Sequence, residues 1–321
     1  MDGSSPAHGT SPGAALPWES RLRRSTIMSE PASSGEIPDT NTHWLFKNPQ
    51  LGITLWDCAH GTRELSAERR QPCHVVSFVH SGAFVLHARG RSAVIDATSV
   101  LLHNPGEPFR SEHPLGRRDH GSSIVVQRKL LLDLLGPDAR FPTIHVQGLF
   151  RAQLLQRLLV RSLQDRKPRE AMAVEEAALK VLREVLRGDA QASSVPRKPS
   201  RRARRSYAED AKALLQQRFR ERLQLDDIAR SLYVSPYHLC RLFREETGVT
   251  IHSYLNRLRL REALEPIAEG KTDLSELAAG LGFSSHSHFT AAFRKELGLS
   301  PREVKKLATA RIPEMVRALN L

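Results

Sequence analysis

Only three cysteines occur in the 321-residue chain, Cys58, Cys73 and Cys240, far apart and odd in number. That excludes a disulfide framework and a Cys-x-x-Cys metal motif, and it suits a reducing cytoplasm. No run of about 18 apolar residues occurs, so nothing reads as a membrane-spanning helix. Acids are scarce as well: 35 Asp and Glu stand against 48 Lys and Arg, a formal net charge of +13. An excess of that size points to a polyanionic partner, nucleic acid before membrane, although a merely soluble basic protein is the plainer alternative. Part of it is local, because Arg197, Lys198, Arg201, Arg202, Arg204 and Arg205 stand together with no acid among them. The length suits two domains of about 100–200 residues each.

The most informative stretch runs from Asp273 to Pro301. Asp273 or Thr272 can cap a helix there, and Glu276 sits where a capping-box acid would. Leu274, Leu277 and Ala278 fall on one helical face. Gly280 and Gly282 break the pattern and allow a left-handed corner. Ser284 or Ser285 restarts a helix, whose Phe289 and Phe293 pack back on the first, and Gly298 stops it. This is a helix-turn-helix pattern. Its open face carries Ser285, His286, Ser287 and Ala291 near the helix N-terminus, where a recognition helix meets the major groove. His286 and His288 point about 200° apart on a helix, so they do not share an ion. His286 is expected to face the groove and His288 to be partly packed.

The pattern repeats from Asp226 to Gly248. Ile228 and Ala229 stand for Leu277 and Ala278, Val234 for Phe283, Leu239 and Phe243 for Phe289 and Phe293. Ser285 follows Ser235 by fifty positions. Two such units can reach successive major-groove segments about 34 Å apart. Tyr254-Leu255, Arg259-Leu260 and Ala263 mark a helix bridging them. From about Tyr207 to Leu307 the chain resembles the DNA-binding domain of the AraC/XylS family of transcription regulators. The resemblance rests on Tyr254 to Ala263 and on the long signature from Gly282 to Pro301, and it covers roughly the last third of the chain. Two departures are Val304-Lys305, where the family has an aromatic residue and Arg, and Pro266, which is expected to end the bridging helix early.

The first 41 residues are rich in Gly, Pro, Ser and Ala, and are expected to be disordered. Arg21, Arg23 and Arg24 precede no hydrophobic segment, so no secretory signal is read, and Met1 and Met28 are alternative starts. From Thr42 to Gln127 the apolar period is two, as in Val76-Phe78-His80 and Phe84-Leu86-Ala88, with turn residues between the runs. Such spacing predicts an all-β sandwich or barrel. Its place in the chain and the stretch from Val100 to Pro108 resemble the cupin-type regulatory domain of the same family.

Catalytic cupins hold a metal through histidines and a carboxylate. Here His74, His80, His87, His103, His113 and His120 form no His-x-His pair followed by Glu, so no metal site and no cofactor are expected. A small barrel can take one effector in its mouth. Trp56, Phe84, Phe109 and Arg110 are candidates for such a lining, with plain core the stronger reading. From Arg128 to Arg187 the pattern is helical. Leu130, Leu131, Leu134 and Leu135 precede Gly136-Pro137. A stripe of Leu154, Leu155, Leu158, Leu159 and Leu163 follows, resumed by Val174, Ala178, Val181, Leu182 and Val185. So much leucine favours a dimer interface over barrel packing alone.

The expected fold class is therefore α+β and multidomain, with a cupin-like barrel and helical hairpin ahead of an all-α double helix-turn-helix. The expected segments are 1–41 disordered, 42–187 regulatory, 188–206 basic linker, 207–307 DNA-binding and 308–321 tail. The expected DNA-contacting residues are Pro236, Tyr237, Cys240, Arg241 and Arg244 in the first unit. Those of the second are Ser285, His286, Ser287, Ala291, Arg294 and Lys295. Arg241 is the best base reader, since a guanidinium pairs with both acceptors of guanine. Family resemblance places base contacts at Tyr237, Cys240 and Arg241, and has a long polar residue where Ala291 stands. The first unit should thus dominate specificity. No catalytic constellation is present. Expected partners are double-stranded DNA, a small-molecule effector, a second copy of the chain and RNA polymerase. The rivals are a cupin metalloenzyme fused to a DNA-binding domain and a nonspecific architectural DNA binder.

Overall fold

A computed structural model describes residues 40–58, 64–113, 118–165, 169–194, 202–270 and 272–320. The first 39 residues, expected to be disordered, lie outside these, as do Arg197, Lys198 and Arg201 of the basic run.

The strand-rich part is built from two antiparallel sheets. One has the order β1 (Thr40–Lys47), β2 (Leu51–Cys58), β9 (Asp119–Val126), β4 (His74–Ser81), β7 (Ser99–His103), β10 (His145–Gln147). The other has the order β3 (Arg69–Arg70), β8 (Pro108–Glu112), β5 (Ala83–Ala88), β6 (Arg91–Asp96). Arg89 (φ 50°) and Gly90 (φ 67°) make a two-residue connection between β5 and β6, the geometry of a type I′ hairpin turn. β10 falls where the sequence reads as helical, and it is held by pairing with β7.

The period of two has a plain cause. Val76, Phe78, Leu102 and Ile124 leave one face of the larger sheet towards the helices, while Val79 and Leu101 leave the other towards Phe84, Leu86, Ile95 and Phe109. Both faces are covered, so β4 is buried from His74 to His80. Among the described residues no ladder joins the two sheets, and the closed barrel expected from strand spacing is not seen.

Helix α1 (Arg128–Leu135) stops at Gly136 (φ 79°), as its sequence predicts. α2 (Phe150–Gln164) and α3 (Ala171–Ser194) form the hairpin that covers the larger sheet. Leu154, Leu155, Leu158 and Leu159 are fully buried, as are Val174, Ala178, Val181, Leu182 and Val185. The stripe, expected to favour a dimer interface over barrel packing alone, is buried within the chain by sheet, hairpin and C-terminal helices together. α3 also runs beyond Leu186, through Gly188, where Asp189 accepts a 3.1 Å hydrogen bond from Thr143 N.

The C-terminal helices are α4 (Arg202–Arg218), α5 (Leu225–Ser231), α6 (Pro236–Thr247), α7 (Ile251–Glu269), α8 (Leu274–Gly280), α9 (His286–Leu297), α10 (Pro301–Leu307) and α11 (Ile312–Leu319). Pro266 does not end the bridging helix. α7 is capped by Thr250, continues through the proline and stops at Gly270 (φ 77°). Buried Ala263, Leu264 and Ile267 on either side of the proline offset its missing hydrogen bond. Its 19 residues span about 28 Å at 1.5 Å per residue. Residues 308–321, expected as a tail, include α11, whose Met315, Val316 and Leu319 are buried where it meets α2 and α3.

α7 also rests on the strand-rich part. Tyr254 donates its hydroxyl proton to Asp96. Arg261 donates to Gln153 Oε1 at 2.7 Å and lies 4.3 Å over the Phe150 ring. Glu265 meets His120 at 3.3 Å and Arg157 at 3.7 Å. Burial would raise the Glu265 carboxyl, but those two partners outweigh it and hold its pKa down to about 2. No helix is long and apolar enough to cross a membrane among the described residues.

Candidate nucleic-acid interface

Each helix-turn-helix is set by its caps. Ser235 accepts from His238 N at 3.2 Å and Ser285 from His288 N at 3.1 Å, starting α6 and α9 at matching positions. Gly248 and Gly298, both at φ 76°, end them. Asp273 caps α8 through Ser275 N at 2.7 Å and Glu276 N at 3.0 Å, while Glu276 itself stays exposed. Leu239, Phe243, Phe289 and Phe293 are fully buried, which fixes the rotation of each recognition helix and hence the face it presents.

The presented faces carry the residues singled out from the sequence. Tyr237, Cys240, Arg241 and Arg244 of α6 are exposed, and Pro236 is half-buried at its first position. The exposed Arg241 guanidinium stands 3.4 Å from His238 Nδ1. In the second unit Ser285, His286, Ser287, Ala291, Arg294 and Lys295 are all exposed. Ser285 uses its oxygen lone pair as the cap, leaving its O–H as a donor. His288 is half-buried: it meets the Phe283 ring edge-on at 5.4 Å and Ser284 Oγ at 3.0 Å.

Arg259 of α7 donates to Phe219 O and Glu221 O, both at 2.7 Å, and lies 5.6 Å over Phe283. The bridge arginine is therefore a buried anchor between α4 and the second unit. Beside it lies a concavity lined by Arg220, Arg222, Ser275, Ser284 and His286. Two exposed arginines thus share a surface with the N-terminus of α9, a place that favours an anion. The sequence reading passed over Arg220 and Arg222, and the only signal was the basic spacing Arg218, Arg220, Arg222 just before the first unit.

Such a fold and surface define a double helix-turn-helix protein. Residues 228–307 match a family described as a helix-turn-helix domain. The chain is similar to the HTH-type transcriptional activator RhaS of Escherichia coli O139:H28, with 34% identity over 94 residues. That alignment covers 29% of this chain and 34% of RhaS, so the chain spans about a third of the length of that relative. It is also similar to the HTH-type transcriptional regulator YbfI of Bacillus subtilis, 27% identical over 222 residues, 67% of this chain and 78% of YbfI. Among solved structures, the C-terminal domain of AraT, a response regulator from Geobacillus stearothermophilus, aligns with a TM-score of 0.30 and 28% identity, covering 31% of this chain and 84% of that one. Over its C-terminal domain the chain is thus similar to HTH-type transcription regulators.

Proposed function

We propose that the protein is a sequence-specific transcription regulator that reads double-stranded DNA through α6 and α9. The observation that carries this is the duplication of one capped unit, each copy turning short polar and basic side chains outward at the N-terminal end of its second helix. Arg241 is the base reader, with Tyr237 and Cys240 shaping the contact and Pro236 packing beside it. Arg244, Arg294 and Lys295 contact phosphates, joined by Arg220 and Arg222. Ser285, His286 and Ser287 add polar contacts, and Ala291 leaves the second unit poorer in base readout.

The region 42–187 acts as a cupin-like sensor of a small-molecule effector, and 207–307 as the DNA-binding domain. The buried Trp56 Nε1, without a hydrogen-bond partner among the described residues, supports a ligand between the sheets. Exposed Trp44 on the edge strand β1 supports a homodimer. Contact with RNA polymerase, a cytoplasmic location and the absence of enzymatic activity follow from the regulator role.

Selection of bound duplexes from a random pool at physiological salt tests the reading. Enrichment of two contact blocks about one helical turn apart is expected. Equal retention of all duplexes would overturn sequence-specific reading in favour of an architectural binder. Sedimentation of the full chain tests the dimer, and a strict monomer would contradict it.

A further inference from the structure

Three metal-ligating side chains converge at one end of the strand-rich part. Cys58 closes β2, Asp119 opens β9, and the two are direct cross-strand partners. Residues so paired send their side chains to the same face of a sheet. His113 follows β8 of the other sheet, and its Nε2 lies 3.7 Å from Cys58 Sγ and 3.1 Å from Asp119 Oδ2. All three residues are buried, with their donor atoms within 4.8 Å of one another.

Two features distinguish this cluster from an ordinary hydrogen-bonded network. A cysteine–histidine–aspartate relay places thiol and carboxylate on opposite ring nitrogens. Here both address Nε2, which has one lone pair or one proton to offer, so the three donors point at a common centre. With zinc bond lengths of about 2.3 Å to sulfur and about 2.0–2.1 Å to nitrogen and oxygen, a tetrahedral ion would set edges of about 3.6 Å for S···N and about 3.3 Å for N···O. The observed spacings lie within a few tenths of an ångström of those edges. Independently, Asp119 Oδ1 is buried with no hydrogen-bond partner among the described residues. A buried carboxylate oxygen left unmet is costly, and a cation meets it directly. The backbone also makes room: Gly82 (φ +89°) stands where a Cβ would come within 2.7 Å of Asp119 Cβ.

We propose that Cys58, His113 and Asp119 bind zinc, with water or an exogenous ligand in the fourth position, clipping the two sheets together. A thiolate beside an imidazole selects zinc over magnesium or calcium, which favour all-oxygen shells. No short sequence motif announces the set, because its members are 55 and 6 positions apart, on two strands and in the segment just after a third.

The test uses the full chain, stripped by chelator and titrated with zinc and then with cobalt(II). About one tightly held equivalent per chain is expected, with the tetrahedral visible bands and thiolate-to-cobalt charge transfer of such a site. Cys58→Ser should abolish the charge-transfer band. Asp119→Asn should weaken zinc binding by more than the roughly 10–100-fold that loss of an outer-shell partner brings. His87→Gln, on the exposed side of β5, should change neither. Absence of a tight equivalent would overturn the site, and so would a charge-transfer band surviving Cys58→Ser. If Cys58→Ser fails to fold by circular dichroism, unchanged affinity in the near-isosteric Asp119→Asn would overturn it instead.

Discussion

The two helix-turn-helix units share their scaffold and differ in almost everything laid upon it. Serine caps, buried second-helix residues and left-handed glycine stops recur at matching positions. Yet Arg241 in the first unit faces Ala291 in the second, and Tyr237 faces Ser287. Their turns differ too. Where the first has Tyr233 at φ 55°, the second has Gly282 at φ 79°. Tyr233 is 96% exposed, so little packing offsets the backbone cost of a left-handed residue, about 1–2 kcal/mol. At Gly282 a Cβ would lie 2.6 Å from Arg220 O and 2.8 Å from Arg259 Nη2. The second turn is pressed against the anchor that ties it to the segment after α4, whereas the first stands clear. Scaffold is thus held constant while anchoring goes to one copy and the longer exposed side chains, Tyr237 and Arg241, to the other.

The largest effect should come from breaking the anchored turn. Gly282→Val should destabilise the chain by about 3 kcal/mol, the left-handed penalty plus overpacking, read by urea denaturation. The next prediction separates the two reading faces. Arg241→Ala should lose about 1–3 kcal/mol of discrimination at one base position. Arg294→Ala should weaken all duplexes alike and shallow the salt slope by about 0.9. Equal losses on specific and random DNA for Arg241→Ala would remove the asymmetry between the units.

A third prediction concerns the helix both units share. Because the Glu265 pKa is depressed from 4.5 to about 2, its contribution is fully present above pH 4.5 and drains away as pH falls towards 2. Urea midpoints of the wild type and Glu265→Gln should therefore converge over that window and differ at neutral pH. The smallest effect belongs to the free turn: Tyr233→Gly should stabilise by no more than about 1 kcal/mol, since relief of strain is partly offset by backbone entropy. A destabilisation there would mean that Tyr233 is held by contacts after all.

What could be read along the chain was local. Capping residues, left-handed glycines and the apolar faces of α5, α6, α8 and α9 act within a few positions, so Asp273, Ser285 and Gly298 identify their elements without the rest of the fold. Strand alternation marked the strands of a sandwich or barrel, but not that two sheets would remain separate. The leucines of α2 revealed the amount of apolar surface without revealing what covers it.

Other features depended on distant partners. Pro266 stays helical because Leu264 and Ile267 are packed, and α11 is an element because α2 and α3 offer it a groove. Cys58, His113 and Asp119 share a centre only because β2 and β9 pair in one register while β8 lies opposite. The amino-acid sequence by itself determined the two helix-turn-helix units and the outward faces of their second helices, since a cap and a period need no partner beyond one helical turn. Tertiary structure alone decided what the leucine stripe packs against, which turn bears the load, and which buried polar atoms meet, because those depend on surfaces that exist only once remote segments have come together.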